Sequence, residues 1–153
     1  MATKKNGWTH TDYLSEVFNP RKLKATIAWC VRAILLLQRR GVKFDTLAFT
    51  GTSGAAVGFA VAAILGIPLT FVRKPTSGVS AAHFDGELEG RLDTKTFIFI
   101  DDFVSSGATF KRVQKKMGRS KCVGVVLYAG TNKSYALGGL RREHVVARRK
   151  SDF

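Results

Sequence analysis

Four apolar residues in succession, Phe97-Ile98-Phe99-Ile100, run straight into two carboxylates, Asp101 and Asp102. A strand with no polar alternation offers no face to water. It therefore reads as a central strand of a parallel sheet, buried on both sides. The chain around it agrees. Residues 44–50, 67–72 and 121–128 read as further strands. Residues 21–40, 54–65 and 109–117 read as helices, the first carrying Leu23, Ile27, Val31, Ile34 and Leu35 at helical spacing and closed by Gly41. Strand and helix alternate, so the expected fold is a single α/β domain with a mostly parallel central sheet flanked by helices. Residues 12–20 read as irregular and 73–92 as a long loop or loosely held hairpin. Residues 140–153 fit either a strand or a tail.

At 153 residues and 16.8 kDa the chain is long enough for a core without covalent staples. Two cysteines, Cys30 and Cys122, make no disulfide framework, and both fall in apolar elements where a thiol is expected to be buried and inert. With no CxxC and three histidines, a zinc site is not expected. Residues 1–6 lack an apolar signal core, so a cytoplasmic protein is expected. An uncharged stretch from 46 to 72 raises a membrane span. However, Gly51-Thr52-Ser53-Gly54 and Gly66-Ile67-Pro68 break it into pieces shorter than the about 20 apolar residues needed to cross.

The net charge is +14, from 25 basic and 11 acidic residues. Such a balance raises nucleic acid as a partner. Its distribution is uneven. Residues 1–45 carry net +6, 46–110 net −2, 111–140 net +7 and 141–153 net +3. The excess surrounds a central, mildly acidic segment, where it would steer a substrate bearing several phosphates.

After the acid pair come Phe103-Val104-Ser105-Ser106-Gly107-Ala108-Thr109 and a helix. In an open parallel sheet, ligands bind at the carboxyl ends of the strands. A small-residue turn opening a helix presents backbone N–H groups to an anion, with Ser105, Ser106 and Thr109 as added donors. Two carboxylates beside such a cradle suit sugar hydroxyls or Mg²⁺ rather than phosphate itself. Taken alone, the pair would also suit a solvated strand end, and Gly51–Gly54 a plain strand-to-helix turn.

This thirteen-residue run resembles the phosphoribosyl pyrophosphate (PRPP) signature of the type I phosphoribosyltransferases: an apolar strand, two acids, and a loop ending in Thr-Gly-Gly-Thr or a variant. Here the ending is Ser106-Gly107-Ala108-Thr109. Two further elements stand in the family's order, over about residues 44–128. Gly51–Gly54 occupies the place of its pyrophosphate loop, and Arg73-Lys74 the start of its flexible catalytic loop.

The resemblance implies transfer of 5-phosphoribose from PRPP to a nitrogenous base with release of pyrophosphate. Asp101 and Asp102 would hold the ribose hydroxyls and face Mg²⁺, directly or through ribose or water. Ser105, Ser106, Gly107, Ala108 and Thr109 would hold the 5′-phosphate. Thr52, Ser53, Gly54, Arg73 and Lys74 would hold the pyrophosphate, with Arg73 and Lys74 also counted as catalytic. A lid from residue 75 to 90, including Pro75, His83 and Gly90, would exclude water. The termini would form a small hood, and a homodimer is expected.

Ser105 stands where the family's 6-oxopurine enzymes carry an acid, which favours orotate or adenine as the base. An alternative is a catalytically weak PRPP- or nucleotide-binding regulator that binds RNA through its basic surface. Lys111, Arg112, Lys115, Lys116, Arg119 and Lys121, on and just past the helix after the loop, would then form a basic stripe on its outer face. Few aromatics are interleaved there for base stacking, and RNA is the less favoured partner.

Overall fold

The computed structural model describes residues 2–5, 8–11, 14–74, 87–130, 137–149 and 151. Two short strands, β1 (Ala2–Lys5) and β2 (Trp8–Thr11), pair antiparallel as a hairpin separate from the main sheet. A short helix α1 (Ser15–Phe18) follows, within the segment read as irregular. Asn19 then starts the long helix α2 (Pro20–Arg39). Its Oδ1 accepts from the backbone N–H groups of Arg21 at 3.0 Å and Lys22 at 3.3 Å, and Pro20 occupies the first helical position, where it forfeits no bond.

The core is β3 (Thr46–Thr50), α3 (Gly51–Leu65), β4 (Leu69–Val72), β5 (Leu88–Gly90), β6 (Thr96–Asp101), α4 (Ala108–Lys116), β7 (Lys121–Leu127) and β8 (Val145–Ala147). The six strands lie in the order β5-β4-β3-β6-β7-β8. All neighbours are parallel except β5, which returns antiparallel along β4. The C-terminal segment left open between strand and tail is therefore part of the sheet. It contributes β8, and the sheet extends past residue 128.

Side chains on the continuous apolar strands alternate between two cores. Leu47, Phe49, Ile98, Ile100, Val126 and Tyr128 face α2 and α3. Ala48, Phe97, Phe99, Val125 and Leu127 face α4. Both sets are fully buried, as the absence of polar alternation required. α3 approaches the sheet through glycines. A Cβ on Gly54 would lie 2.8 Å from the Phe49 Cβ, and one on Gly58 would lie 2.6 Å from the Phe49 ring. Among the described residues no helix is long and apolar enough to cross a membrane.

Candidate active site

The chain runs β3, β4, β5 toward one side of the sheet, then β6, β7, β8 toward the other. Its direction therefore switches between β3 and β6, and the crevice at their carboxyl ends is where an open α/β sheet can hold a ligand. A cavity of about 210 Å³ opens there. Thr50 lines it from the end of β3, Ser53 from α3, Lys74 from beyond β4 and Asp101 from the end of β6. The rest of the lining is Phe99 and the run from Asp102 to Phe110.

The acid pair is almost entirely buried, at 5% exposure for Asp101 and 6% for Asp102. Asp101 Oδ1 accepts from Ser53 Oγ and from the Asp102 N–H, both at 2.9 Å. Asp102 Oδ1 accepts from the Phe103 N–H at 2.7 Å. The Asp101 and Asp102 carbonyls accept from the N–H groups of Tyr128 at 3.1 Å and Ala129 at 2.7 Å, so the end of β7 fixes the backbone of both acids. Burial, and then the neighbouring Asp102 charge, push the Asp101 carboxyl up to about 7. Burial also raises Asp102, against hydrogen bonds to its carboxylate and the nearby Lys74 charge. The two carboxyl groups also hydrogen-bond each other. Two carboxyl groups that share one buried site oppose each other's ionisation.

The loop after the acids makes the cradle. Gly107 has φ +79°, a left-handed conformation that costs glycine nothing, and it turns the chain into α4. No side chain caps α4, although Ser106 Oγ accepts from the Ala108 N–H at 3.3 Å. The first turn therefore keeps N–H groups open toward the cavity. α3 is likewise uncapped, because the Thr50 hydroxyl donates instead to the Val72 carbonyl at 2.6 Å.

Asp101, Asp102, Lys74, Ser53 and the whole run Ser105, Ser106, Gly107, Ala108 and Thr109 meet in this cavity. Three expected residues do not. Arg73 forms an ion pair with Glu89 across the β4–β5 hairpin and is absent from the cavity wall. Alternation along the strand explains this: Phe71 belongs to the α3 side with Phe49, whereas Val72 belongs to the α4 side, where Lys74 follows. Thr52 is exposed on the first turn of α3. Gly54 is buried against Phe49, so it is a packing residue. The expected loop 51–54 is itself the opening turn of α3.

Of the expected lid, Pro75 and His83 lie outside the described residues, while Gly90 ends β5. A Cβ on Gly90 would meet the Leu69 carbonyl oxygen at 2.2 Å, so this glycine serves strand pairing. The basic stripe also divides. Lys111 and Lys115 are exposed, Arg112 is half-buried, and Lys116 pairs with Glu87. Arg119 and Lys121 fall past the helix end.

Tyr128 and Thr50 were not foreseen. The fully buried Tyr128 donates its hydroxyl to the Ser53 carbonyl at 2.8 Å, and burial pushes its pKa upward. Its one sequence signal is a hydroxyl-tipped aromatic at the end of an apolar strand. Cys30 and Cys122 are buried as expected, and burial pushes both thiols up to about 12.

No protein-family model matches the sequence, and no curated protein matches it. Solved structures do match. An orotate phosphoribosyltransferase from Francisella tularensis shares 25% identity at a TM-score of 0.55, over 72% of this chain and 53% of that one. This chain thus spans about half the length of that enzyme. An adenine phosphoribosyltransferase from Thermoanaerobacter pseudethanolicus shares 17% identity at a TM-score of 0.62, over 93% of this chain and 88% of that one. One from Trypanosoma brucei shares 15% identity at a TM-score of 0.62, over 95% of this chain and 71% of that one. The chain has the type I phosphoribosyltransferase fold.

Proposed function

We propose that this chain is a phosphoribosyltransferase that moves 5-phosphoribose from PRPP to a ring nitrogen of a nucleobase and releases pyrophosphate. One observation carries the reading: a buried acid pair, an uncapped helix N-terminus with three hydroxyls, and one lysine converge on a single crevice at the switch point of the sheet. Sugar hydroxyls suit the acids, a phosphate suits the N–H cradle, and the Lys74 cation suits the leaving pyrophosphate.

Departure of pyrophosphate builds positive charge on the sugar carbon. The task for the protein is therefore to stabilise separated charge in a water-poor site, with no side-chain nucleophile. Asp101 and Asp102 hold the ribose through its hydroxyls and place their negative charge beside the developing cation. The Ser105–Thr109 turn anchors the phosphate end, which fixes the sugar while the bond breaks. Lys74 and the open first turn of α3 offset charge on the departing group.

The donor set fits Mg²⁺. Each acid has one carboxylate oxygen engaged by protein N–H or O–H donors, and a magnesium ion that keeps waters and substrate oxygens needs few protein ligands. Asp101 and Asp102 would hold it, directly or through ribose or water, and it would neutralise pyrophosphate charge. Orotate and adenine are the favoured bases, on Ser105 and on what the structural neighbours are named for acting on.

The test is pyrophosphate release from PRPP and Mg²⁺ with orotate, adenine, hypoxanthine and guanine in turn. Turnover with orotate or adenine is expected. Absence of both turnover and PRPP binding overturns the reading, and saturable PRPP binding without turnover replaces it with a regulator. A homodimer is expected by sedimentation.

A further inference from the structure

The amino ends of the parallel strands lie at the edge of the sheet opposite the acid pair, and that edge is strongly basic. The loop into β3 brings Arg40 and Lys43 there. The loop from β5 to β6 brings Arg91 and Lys95, the turn into β7 brings Arg119 and Lys121, and the loop into β8 brings Arg142. These loops are laced into one surface. The Arg91 N–H donates to the Leu69 carbonyl and the Lys121 N–H to the Lys95 carbonyl, both at 2.8 Å. Arg40 Nη1 reaches the Glu143 carbonyl at 2.5 Å.

The acids of this edge are already engaged. Asp45 accepts from the N–H groups of Lys95 and Thr96, at 2.8 and 3.0 Å. Asp93 pairs with Arg91 and Glu143 with Arg141. Among the described residues, no carboxylate lies within ion-pair distance of Lys43, Lys95, Arg119, Lys121 or Arg142, and all five are exposed.

We infer that this edge is a binding surface for the phosphate backbone of a nucleic-acid duplex. Every strand except β4 brings a cation to it, so the charges form a row rather than a point. At the usual strand spacing, six strands span roughly 24 Å, enough for several successive phosphates. A single small anion needs no such length. At this edge the exposed large apolar side chains are Leu92 in the loop from β5 to β6 and Ile64 on the last turn of α3, two scattered residues that make no apolar row for insertion into a membrane. No aromatic side chain is exposed there to stack an unpaired base, which favours a duplex over a single strand. Contacts to the backbone alone carry no sequence preference.

Fluorescence anisotropy with a labelled random-sequence DNA duplex, across a potassium chloride series, tests this. The double variant Lys95→Gln/Lys121→Gln is compared with Arg21→Gln/Lys24→Gln, which removes the same charge from the far end of α2. All four residues are exposed, and equal thermal melting shows that both variants fold. The wild type is expected to bind with a steep salt dependence. The edge variant should lose at least tenfold in affinity and flatten the log–log salt slope by about 1.8, while the α2 variant changes less than threefold. Equal loss in both variants, tenfold tighter binding of oligo-dT than of duplex, or binding of phosphatidylserine vesicles but not DNA, overturns the inference. None of these residues touches the cavity, so the outcome is independent of phosphoribosyl transfer.

Discussion

Ser53 Oγ donates to Asp101 Oδ1 at 2.9 Å, joining the first turn of α3 to the end of β6 across 48 positions of sequence. This bond favours the charged carboxylate against the burial that opposes it. Ser53 is therefore a positioning residue for the acid pair, and Tyr128 fixes Ser53 in turn.

Replacing Ser53 with alanine removes a donor to a charged group, a bond of roughly 1.5–3 kcal/mol. Loss of a bond to the ionised form raises the pKa. In the pH–rate profile of pyrophosphate release, the acid limb of Ser53→Ala should move up by about one unit. Ser53→Thr should restore it. An unmoved limb would separate Ser53 from the ionisation of Asp101.

Burial and the neighbouring Asp102 charge push the Asp101 carboxyl up to about 7 in the folded protein, against about 3.9 for an aspartate in an unfolded chain. Between those values the folded state holds a proton that the unfolded chain has released. This contribution to stability is full below about pH 4 and is lost as pH rises through 7. Asp101→Asn carries no such loss. Its melting temperature relative to wild type should rise by a few degrees between pH 5 and pH 8, while activity disappears. A constant difference across that range would contradict the assignment.

Lys74 lines the cavity and Arg73 does not. Lys74→Ala should lower kcat/KM by roughly 100-fold, the scale expected for one preorganised charge partner of a leaving group. Arg73→Ala should cost far less and match Glu89→Ala, because both remove the same exposed ion pair. Steady-state kinetics on the three variants decides it.

Gly54→Ala would place a methyl 2.8 Å from the Phe49 Cβ and 3.3 Å from the Ile100 carbonyl oxygen. Forcing α3 away from the sheet should cost about 1–3 kcal/mol, read as a lowered melting temperature by circular dichroism. Phe49 also packs against Phe59 and Phe71, at 5.0 and 5.5 Å between ring centres, so it has little room to yield.

The acid pair, the turn through Gly107 and the strand beneath them are contiguous in the chain. Their chemistry is local: an unbroken apolar run must be buried on two faces, and a glycine must make a left-handed turn. The amino-acid sequence therefore determined the strand, the cradle and the order of elements. It left open which of Arg73 and Lys74 enters the crevice, and it carried no mark of the Ser53–Asp101–Tyr128 linkage. Strand alternation and the β4–β5 register send Arg73 to Glu89 and Lys74 to the acids. Likewise, cations scattered from residue 40 to residue 142 became one edge only because five parallel strands begin there. Contacts between residues far apart in the chain depend on strand order and register, which exist only once the sheet has formed.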